Sequence, residues 1–486
     1  MTNSSASAVA QAPSEPPSVP MLIGGKWVHD GDRAVVHSPF DGCTVSYQPH
    51  STATHLDAAL DAAVKAKAVI ARMPGFERAA LLRRVSALLV ERAKLIAEVM
   101  SRETGKAIKD ARAEVVRSQD TINLSAEEAI RIEGEHIPLD GSAMGAGKIA
   151  MMLRFPVGVV GAITPFNAPF NLSCHKVGPA IAAGNSVVLK APSKAPGTIN
   201  ELARLFVDAG APAGALNVLY GHEVGPLLVR DPRVDFITFT GSSETGADIK
   251  AAAGLRRVAL ELGGTGPTIV HRDAAVDEAA PLCARNSMRL AGQSCISVQT
   301  VYAHQDIYEE FVRRLVDTVK RMKTGDPLDP STDVGTLIDE AAARRVESWV
   351  NEAVSAGARA LTGGTRLGAA YAPTVLVDVK PDMKVVCKEV FGPVISVMPY
   401  EDFDAVCETI SASPFGLQCG VFTKSVELAI RAARSIRTGG VIINGSTTWR
   451  TDQLAYGGVK NSGIGREGPR YAMRDMTEER LILFNF

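Results

Sequence analysis

The run Val157-Gly-Val-Val-Gly-Ala-Ile163 begins a regular alternation of short apolar segments and helical patterns. Ser186-Val-Val-Leu-Lys190 and Val234-Asp-Phe-Ile-Thr-Phe239 continue this alternation, and Val258-Ala-Leu-Glu261 ends it. Between these runs lie amphipathic segments such as residues 243–253. Short β-branched runs that are separated by helices predict a parallel, doubly wound sheet.

The alternation resumes after residue 295 and predicts a second α/β domain. Its strand patterns include Thr300-Val-Tyr-Ala303, Val394-Ile-Ser-Val397 and Gly440-Val-Ile-Ile-Asn444. The chain closes on the apolar run Leu481-Ile-Leu-Phe-Asn-Phe486. An unpaired apolar strand is unfavourable on a monomer surface, so this run predicts pairing with the sheet of another subunit.

Length and charge exclude several classes of protein. The chain has 486 residues, of which 46% are hydrophobic, and this length predicts two or three domains. The 52 basic and 53 acidic residues nearly cancel, so no overall field would attract nucleic acid or a membrane surface. The longest apolar stretches, such as 157–163, are too short to span a bilayer. We therefore expect no nucleic-acid partner and no membrane partner.

Seven cysteines are scattered along the chain without a CxxC pair. An odd and dispersed set predicts free thiols in a reducing cytoplasm. Neither the cysteines nor the nine histidines show the spacing of a metal site, so no metal is expected. Residues 1–20 are rich in Ser, Ala and Pro and contain no Arg or Lys. This composition predicts a disordered leader rather than a targeting signal.

Two short motifs carry the chemistry. Cys295 stands in Leu290-Ala-Gly-Gln-Ser-Cys-Ile-Ser297, and Glu261 stands in Leu260-Glu-Leu-Gly-Gly264. The commonest role of a cysteine is packing in a core, but the small residues before Cys295 leave room for a substrate to approach the backbone. A thiol needs a base to become a thiolate, and a thioester needs a base to activate water. One cysteine and one glutamate can therefore perform covalent catalysis.

Together with Pro165-Phe-Asn167 and Lys388-Glu-Val-Phe-Gly-Pro393, in this order, these motifs resemble the aldehyde dehydrogenase superfamily from about Met21 to the C-terminus. The resemblance implies an α/β fold in three parts: a Rossmann-type cofactor domain (21–130 and 151–261), a second α/β catalytic domain (262–453) and a small β oligomerisation flap (131–150 and 466–486). It also implies a homodimer or a homotetramer.

The resemblance implies that Cys295 attacks an aldehyde to form a thiohemiacetal and, after hydride transfer, a thioester. Glu261 is then the base that activates water, and Asn167 stabilises the oxyanion together with the backbone N–H of Cys295. Relatives that pass the acyl group to coenzyme A commonly lack a base at position 261, so this alternative is disfavoured. A non-catalytic protein on this scaffold is disfavoured because all three residues are present. The sequence departs from the family at Thr265, where Lys is usual.

The same resemblance implies NAD or NADP as the cofactor. Gly241 and Ser242 follow a strand and open a helix, so they would contact the pyrophosphate. Lys190 would bind the adenosine ribose. Ser193 stands where NAD-preferring relatives often carry a Glu that repels a 2′-phosphate, so NADP is permitted. Four further cofactor contacts are implied at Pro165, Leu262, Glu389 and Phe391, of which the last two would hold the nicotinamide ribose and ring.

Substrate contacts are implied at the mouth of the site. Arg450 lies in a loop that often carries aromatic residues in relatives acting on fatty or aromatic aldehydes, and Arg117 lies on a helix that faces the same mouth. Ala168 and His175 stand where larger aromatic residues often line the tunnel. Arginines there favour a small, polar or anionic aldehyde, as in the lactaldehyde, glycolaldehyde, semialdehyde and phosphonoacetaldehyde dehydrogenase group. The alternative for both arginines is a solvated or salt-bridged surface side chain.

Overall fold

The computed structural model describes residues 16–486, and its elements are numbered here in chain order. The strands are β1 (Met21–Ile23), β2 (Lys26–Val28), β3 (Arg33–His37), β4 (Thr44–Pro49), β5 (Glu135–Ile137), β6 (Ile149–Pro156), β7 (Val159–Ile163), β8 (Ser186–Lys190), β9 (Leu216–Leu219), β10 (Phe236–Thr240), β11 (Arg257–Glu261), β12 (Pro267–Val270), β13 (Thr300–His304), β14 (Arg359–Thr362), β15 (Arg366–Leu367), β16 (Ala370–Tyr371), β17 (Thr374–Val377), β18 (Val394–Tyr400), β19 (Gln418–Phe422), β20 (Gly440–Ile443), β21 (Gly463–Ile464) and β22 (Thr477–Phe484). The helices are α1 (Ala53–Arg72), α2 (Gly75–Thr104), α3 (Ile108–Ala129), α4 (Pro169–Ala182), α5 (Pro196–Asp208), α6 (Val224–Arg230), α7 (Ser243–Ala253), α8 (Val276–Met288), α9 (Tyr308–Lys320), α10 (Glu340–Ser355), α11 (Lys384–Cys387), α12 (Phe403–Ala412), α13 (Val426–Ser435) and α14 (Pro469–Asp475).

The first sheet has the strand order β2-β1-β9-β8-β7-β10-β11-β21. The strands from β9 to β11 in this order run parallel, and the chain winds outward in both directions from β7. The strand order reverses between β7 and β10, and a doubly wound sheet opens a crevice beyond the carboxyl ends of its strands at such a point. The predicted doubly wound sheet is confirmed.

Local sequence divides the long helical pattern of residues 53–103 into α1 and α2. Met73 is extended because a residue before proline avoids helical backbone, and Pro74 then precedes the first residue of α2. Gly105 ends α2 with a φ of 70°, and its N–H donates to the carbonyl of Ser101. The next helix, α3, packs between α2 and α4, which brings the side chain of Arg117 close to the start of α4.

The second sheet has seven strands in the order β14-β17-β18-β13-β12-β19-β20. All neighbouring strands run parallel except β14, which is antiparallel to β17. The strands between its two edge strands are largely buried and rich in Val and Ile, as expected when helices cover both faces of a parallel sheet. This sheet confirms the second α/β domain predicted from the alternation after residue 295.

A third, antiparallel sheet has the order β22-β6-β5. The closing strand β22 pairs with β6 in its own chain along eight residue pairs, from Thr477–Pro156 to Phe484–Ile149. Its other edge has no strand partner within residues 16–486 and carries exposed apolar side chains such as Leu481. Pairing of this edge with another subunit therefore stays a prediction. The predicted boundary at residue 150 falls inside β6, and the assignment of functions to the three parts also stays a prediction.

Most of the predicted leader, residues 1–15, lies outside the described residues. In the described part of the predicted leader, residues 16–20, the N–H of Val19 donates to the carbonyl of Tyr47 at 2.7 Å, and Val19 is buried, so this part packs against β4. Among the helices of the described part of the chain, none is long and apolar enough to cross a membrane.

Candidate active site

Cys295 lies on the loop between α8 and β13. This loop begins with a short 3₁₀ turn, and the three consecutive residues 290–292 all have left-handed φ angles of 56°, 51° and 70°. A Cβ at Gly292 would collide with the carbonyl oxygen of Gly392, so a larger residue does not fit there. The turn therefore holds Cys295 half-buried at the amino-terminal edge of the second sheet.

The segment after Glu261 crosses from the carboxyl end of β11 to the start of β12, and it passes directly beside the cysteine loop. A Cβ at Gly264 would lie 2.7 Å from the carbonyl oxygen of Cys295. A Cβ at Gly263 would lie 2.6 Å from Oε2 of Glu389. Close approach of backbone therefore requires glycine at position 264, whereas a side chain at position 263 would displace the carboxyl group of Glu389. Thr265, the next residue, is buried.

Glu261 is 4% exposed, and its Oε2 has no hydrogen-bond partner within residues 16–486. Burial raises the pKa of its carboxyl group well above the ordinary value, and the nearby Glu467 carboxylate raises it further. Arg450 and Lys176 act in the opposite direction. A buried carboxyl group with an unused oxygen and a raised pKa has the properties of a general base.

Asn167 lies between β7 and α4. Its Nδ2 donates to the backbone carbonyl of Gln293 at 3.0 Å, two residues before Cys295. Asn167 and Cys295 line the same cavity, which has a volume of about 100 Å³. An amide nitrogen that is held beside a nucleophile can donate its second hydrogen to an oxyanion. Glu261 is not part of the lining of this cavity.

Arg450 lies at the wall of the cavity, where its guanidinium group is almost fully buried. Its Cζ lies 3.7 Å from the centre of the Tyr456 ring. Its Nη2 lies 3.0 Å from Oε2 of Glu467 and 3.1 Å from Nε2 of His175. Lys176 approaches Oε1 of the same glutamate at 3.3 Å. Although burial opposes ionisation, the charges of Lys176 and Arg450 help to lower the pKa of Glu467 to about 2.

His175 does not line the cavity. Its ring is fully buried behind Arg450, and its Nε2 lies 3.3 Å from Oδ1 of Asp452. Burial, reinforced by the charge of Arg450, lowers the pKa of this imidazole, so it is neutral at ordinary pH. Ala168, in contrast, does line the cavity. The predicted contact of His175 with the substrate is therefore not supported by its position, which is that of a partner of Arg450.

Two further arginines line the cavity with partly free guanidinium groups. Arg117 donates from Nε and Nη2 to Oδ1 of Asp452, at 3.0 and 2.6 Å. Arg289 donates only from Nε, to Oδ1 of Asp110 at 3.2 Å. Nη1 of Arg117 and both amino groups of Arg289 form no hydrogen bond within the described part of the chain. The sequence reasoning missed Arg289, because only folding brings it to the same cavity as Arg117.

A larger cavity, of about 910 Å³, lies at the carboxyl ends of β7 and β10, between α6 and α7. It lies at the crevice expected from the strand order. Four of the residues predicted to bind the cofactor line it: Pro165, Lys190, Gly241 and Ser242. Burial lowers the pKa of Lys190 to about 8, and its Nζ has no protein acceptor within the described residues. Ser242 caps α7 by accepting from the N–H of Thr245 at 3.2 Å, so the helix amino terminus faces this cavity.

The other predicted cofactor residues lie outside the lining of this cavity. Glu389 accepts from the N–H of Gly264 at 3.2 Å, and burial raises its pKa to about 7. Phe391 has a φ of 49°, and its ring meets that of Phe166 edge-on at 6.1 Å. Leu262 is buried against α7. The carbonyl of Ser193 accepts from Gln48 at 2.9 Å, and its Oγ has no partner in the described part of the molecule.

Comparisons with known proteins identify the family of this chain. Residues 27–482 match the model of the aldehyde dehydrogenase family. The chain belongs to the aldehyde dehydrogenase family. It is 47% identical to the 3-sulfolactaldehyde dehydrogenase of Priestia megaterium, over 84% of this chain and 86% of that protein. It is 37% identical to the lactaldehyde dehydrogenase of Methanocaldococcus jannaschii, over 96% of this chain and all of that protein.

Solved structures of aldehyde dehydrogenases have the same fold. Aldehyde dehydrogenase 21 from Physcomitrella patens, in complex with the reaction product succinate, superposes with a TM-score of 0.94 at 39% identity, over 97% of this chain and 98% of that one. The NADP-dependent glyceraldehyde-3-phosphate dehydrogenase from Bacillus halodurans, complexed with NADP, has a TM-score of 0.94 at 34% identity, over 96% and 99%. The predicted family, fold and dependence on NAD or NADP are confirmed, and this aldehyde dehydrogenase is an oxidoreductase.

Proposed function

We propose that this aldehyde dehydrogenase oxidises a small anionic aldehyde, of the kind that 3-sulfolactaldehyde represents, to the carboxylate. One observation carries this proposal. Arg117 and Arg289 line the cavity that contains Cys295, and each has N–H donors that form no hydrogen bond within the described residues. A guanidinium group is planar and carries several N–H donors, so it binds sulfonate, phosphonate and carboxylate groups well. The volume of about 100 Å³ supports a small substrate. The 47% identical relative that acts on 3-sulfolactaldehyde supports the same class.

The proposed reaction begins at Cys295. Burial raises the pKa of its thiol to about 12, whereas the Tyr456 hydroxyl and the Arg450 charge lower it, so the thiol needs a base. The thiolate attacks the carbonyl carbon, a C–S bond forms, and the carbonyl π electrons move to oxygen. The oxyanion then accepts hydrogen bonds from Nδ2 of Asn167 and from the backbone N–H of Cys295. This role is supported by the hydrogen bond that holds Asn167 on the cysteine loop.

The residues around the 910 Å³ cavity fit a dinucleotide, because a buried lysine without a protein partner and a helix amino terminus both favour phosphates and ribose hydroxyls. A bound NAD or NADP would supply the acceptor for the hydride of the thiohemiacetal carbon. Lys190, Ser242 and the amides at the start of α7 would hold it. We propose that NADP is accepted, because Ser193 presents no carboxylate that would repel a 2′-phosphate.

Glu261 completes the proposed cycle. Its carboxylate takes a proton from a water molecule, the resulting hydroxide attacks the thioester carbon, and the C–S bond breaks to release the carboxylate product and the thiolate. The raised pKa brings the base closer to neutral pH, where proton transfer is most efficient. Transfer to coenzyme A is the alternative fate of a thioester. The buried carboxyl group with a free oxygen supports hydrolysis instead.

Steady-state kinetics of the wild type and of Cys295→Ser test the proposal. Reduced cofactor is followed by absorbance with 3-sulfolactaldehyde, lactaldehyde and propanal, each with NAD and with NADP. We expect the highest kcat/KM with 3-sulfolactaldehyde, hydrolysis without coenzyme A, and loss of turnover with retained cofactor binding in Cys295→Ser. Turnover by the serine variant would show another nucleophile. A preference for propanal would overturn the anionic substrate class.

We also propose a homo-oligomer. The open edge of β22 and its exposed apolar side chains, Leu481 at 57% and Leu483 at 46%, support contact with another subunit. The molar mass measured by light scattering decides between a dimer and a tetramer, and a mass of one chain would contradict the proposal.

A further inference from the structure

Tyr456 is buried, and its hydroxyl lies 3.3 Å from Sγ of Cys295. No other group within residues 16–486 forms a hydrogen bond with this hydroxyl. A buried hydroxyl is costly unless it is paired, and a phenylalanine ring would fill the same space without that cost. The hydroxyl is therefore not required for packing, and its only partner is the sulfur atom of the proposed nucleophile.

The position of Tyr456 is determined by three sets of contacts. Its backbone N–H donates to the carbonyl of Glu467 at 3.1 Å, and the N–H of Glu467 donates back at 2.6 Å. Its ring lies against the guanidinium group of Arg450, which is itself bonded to the Glu467 carboxylate. Its remaining surface packs with Ile296 and Leu417. A side chain that is held from all sides can direct its hydroxyl without loss of conformational entropy during the reaction.

We propose that Tyr456 is a catalytic residue of this aldehyde dehydrogenase, whose hydroxyl donates a hydrogen bond to the thiolate of Cys295 and so stabilises the nucleophile. The inference rests on the proposed role of Cys295. A thiolate has no proton to donate, so in this state the tyrosine must be the donor. Burial, together with the charges of Cys295 and Glu261, raises the pKa of the phenol, so it stays protonated at working pH. The cation over the ring face withdraws electron density and strengthens the O–H donor.

The proton balance of the step is simple. The thiol proton passes to a solvent water molecule, which becomes hydronium, the S–H electron pair stays on sulfur, and the Tyr456 O–H bond remains intact. When Sγ forms its bond to the carbonyl carbon, the negative charge passes to the oxyanion and the hydrogen bond from Tyr456 weakens. Four groups act on the Cys295 thiol: the charges of Glu389 and Glu261 disfavour the thiolate, whereas the Tyr456 hydroxyl and the charge of Arg450 favour it. Only the hydroxyl touches the sulfur atom.

Tyr456→Phe removes this hydroxyl and keeps the ring, its packing and the contact with Arg450. The rate of Cys295 alkylation by iodoacetamide is measured against pH, and the modified peptide is quantified by mass spectrometry. We expect the pKa of Cys295 to rise by about one to two units, with alkylation near neutral pH slowed roughly ten- to hundredfold. An unchanged pKa would overturn the role of Tyr456.

Tyr371→Phe is the matched control. Tyr371 is equally buried and its hydroxyl has no partner in the described part of the chain, but it lies in β16, away from the cavity. Loss of the Tyr371 hydroxyl should leave the pKa of Cys295 unchanged. If Tyr456→Phe does not fold, 3-fluorotyrosine at position 456 gives the opposite test, because its more acidic hydroxyl is a stronger donor and should lower the pKa of Cys295. No decrease would overturn the proposal.

Cys295→Ser separates this inference from the proposed function. If the serine variant keeps its turnover, Cys295 is not the nucleophile and the proposed function fails with it. If Cys295→Ser is inactive and Tyr456→Phe leaves the pKa of Cys295 unchanged, the nucleophile is correct and only the role of Tyr456 is wrong.

Discussion

Truncation of Arg117 to Ala tests directly how this enzyme recognises an anionic aldehyde. Arg117 is 34% exposed, lies on α3 and lines the cavity with its Nη1 free. Asp452 loses two hydrogen bonds but keeps one from Thr121 at 2.6 Å and its contact with His175 at 3.3 Å. The carboxylate is therefore not left without partners, and we expect the fold to be retained.

The magnitude follows from the contact that is lost. A hydrogen bond to a charged group contributes about 1.5–3 kcal/mol, so kcat/KM for an anionic aldehyde should fall roughly ten- to hundredfold. A neutral aldehyde makes no such contact, and its kcat/KM should change little. Arg117→Lys keeps the charge but not the planar fork of donors, so its effect should lie between those of the wild type and Arg117→Ala.

The assay compares initial rates with 3-sulfolactaldehyde and with propanal at saturating cofactor. Arg112→Ala is the matched control, because Arg112 is an exposed arginine on the same helix that does not line the cavity. An equal fall with both aldehydes would mean that Arg117 maintains the shape of the site through Asp452 rather than binding the anion. An unchanged kcat/KM with both aldehydes would mean that the anionic group of the substrate binds elsewhere in the cavity, and Arg289 would then be the next residue to test.

Three further substitutions have distinct expected results. In a stopped-flow experiment, Glu261→Gln should give a burst of reduced cofactor followed by almost no steady-state turnover, because acylation is spared and deacylation lacks its base. Equal loss of the burst and of the steady-state rate would instead mean that Glu261 is the base for the thiol. Since the ionised form is required and its pKa is raised, wild-type turnover should increase with pH through that raised pKa, and the glutamine variant should lose this dependence. Ser193→Glu should shift selectivity from NADP toward NAD in two cofactor titrations, and unchanged selectivity would show that position 193 does not reach the ribose. Arg450→Ala leaves the buried carboxylate of Glu467 without one partner, so the free energy of unfolding should fall by about 3–5 kcal/mol. Anionic and neutral aldehydes should both react more slowly. A loss of kcat/KM confined to anionic aldehydes would show that Arg450 binds the substrate directly.

Regular patterns along the chain predicted much of the fold. The strand pattern 186–190 and the helix pattern 243–253 coincide with β8 and α7, because short-range periodicity and flanking turn residues determine both. The Gly-Gly pair after Glu261 was recognised as part of a motif, and the structural requirement at its second position is the close approach of the Cys295 carbonyl. The roles assigned to these catalytic residues stay predictions until the variants are measured.

Other features depend on contacts between distant parts of the chain, and no local pattern could predict them. The hydrogen bond between Cys295 and Tyr456 joins residues 161 positions apart, and that between Arg117 and Asp452 spans 335. The sequence indicated arginines near the substrate. It did not indicate that Arg450 would be buried against Glu467, because the charge of a side chain says nothing about its partner.

By itself, then, the sequence determined the α/β alternation, the family and the chemical groups at positions 295, 261 and 167. The tertiary structure decided which groups share one cavity: it brought Arg289 into that cavity, excluded the ring of His175 and set the hydroxyl of Tyr456 beside the thiol. It also paired β22 with β6 in its own chain. The physical reason is that periodicity and turn preferences act over a few residues, whereas burial and charge pairing depend on how the sheets and loops pack together.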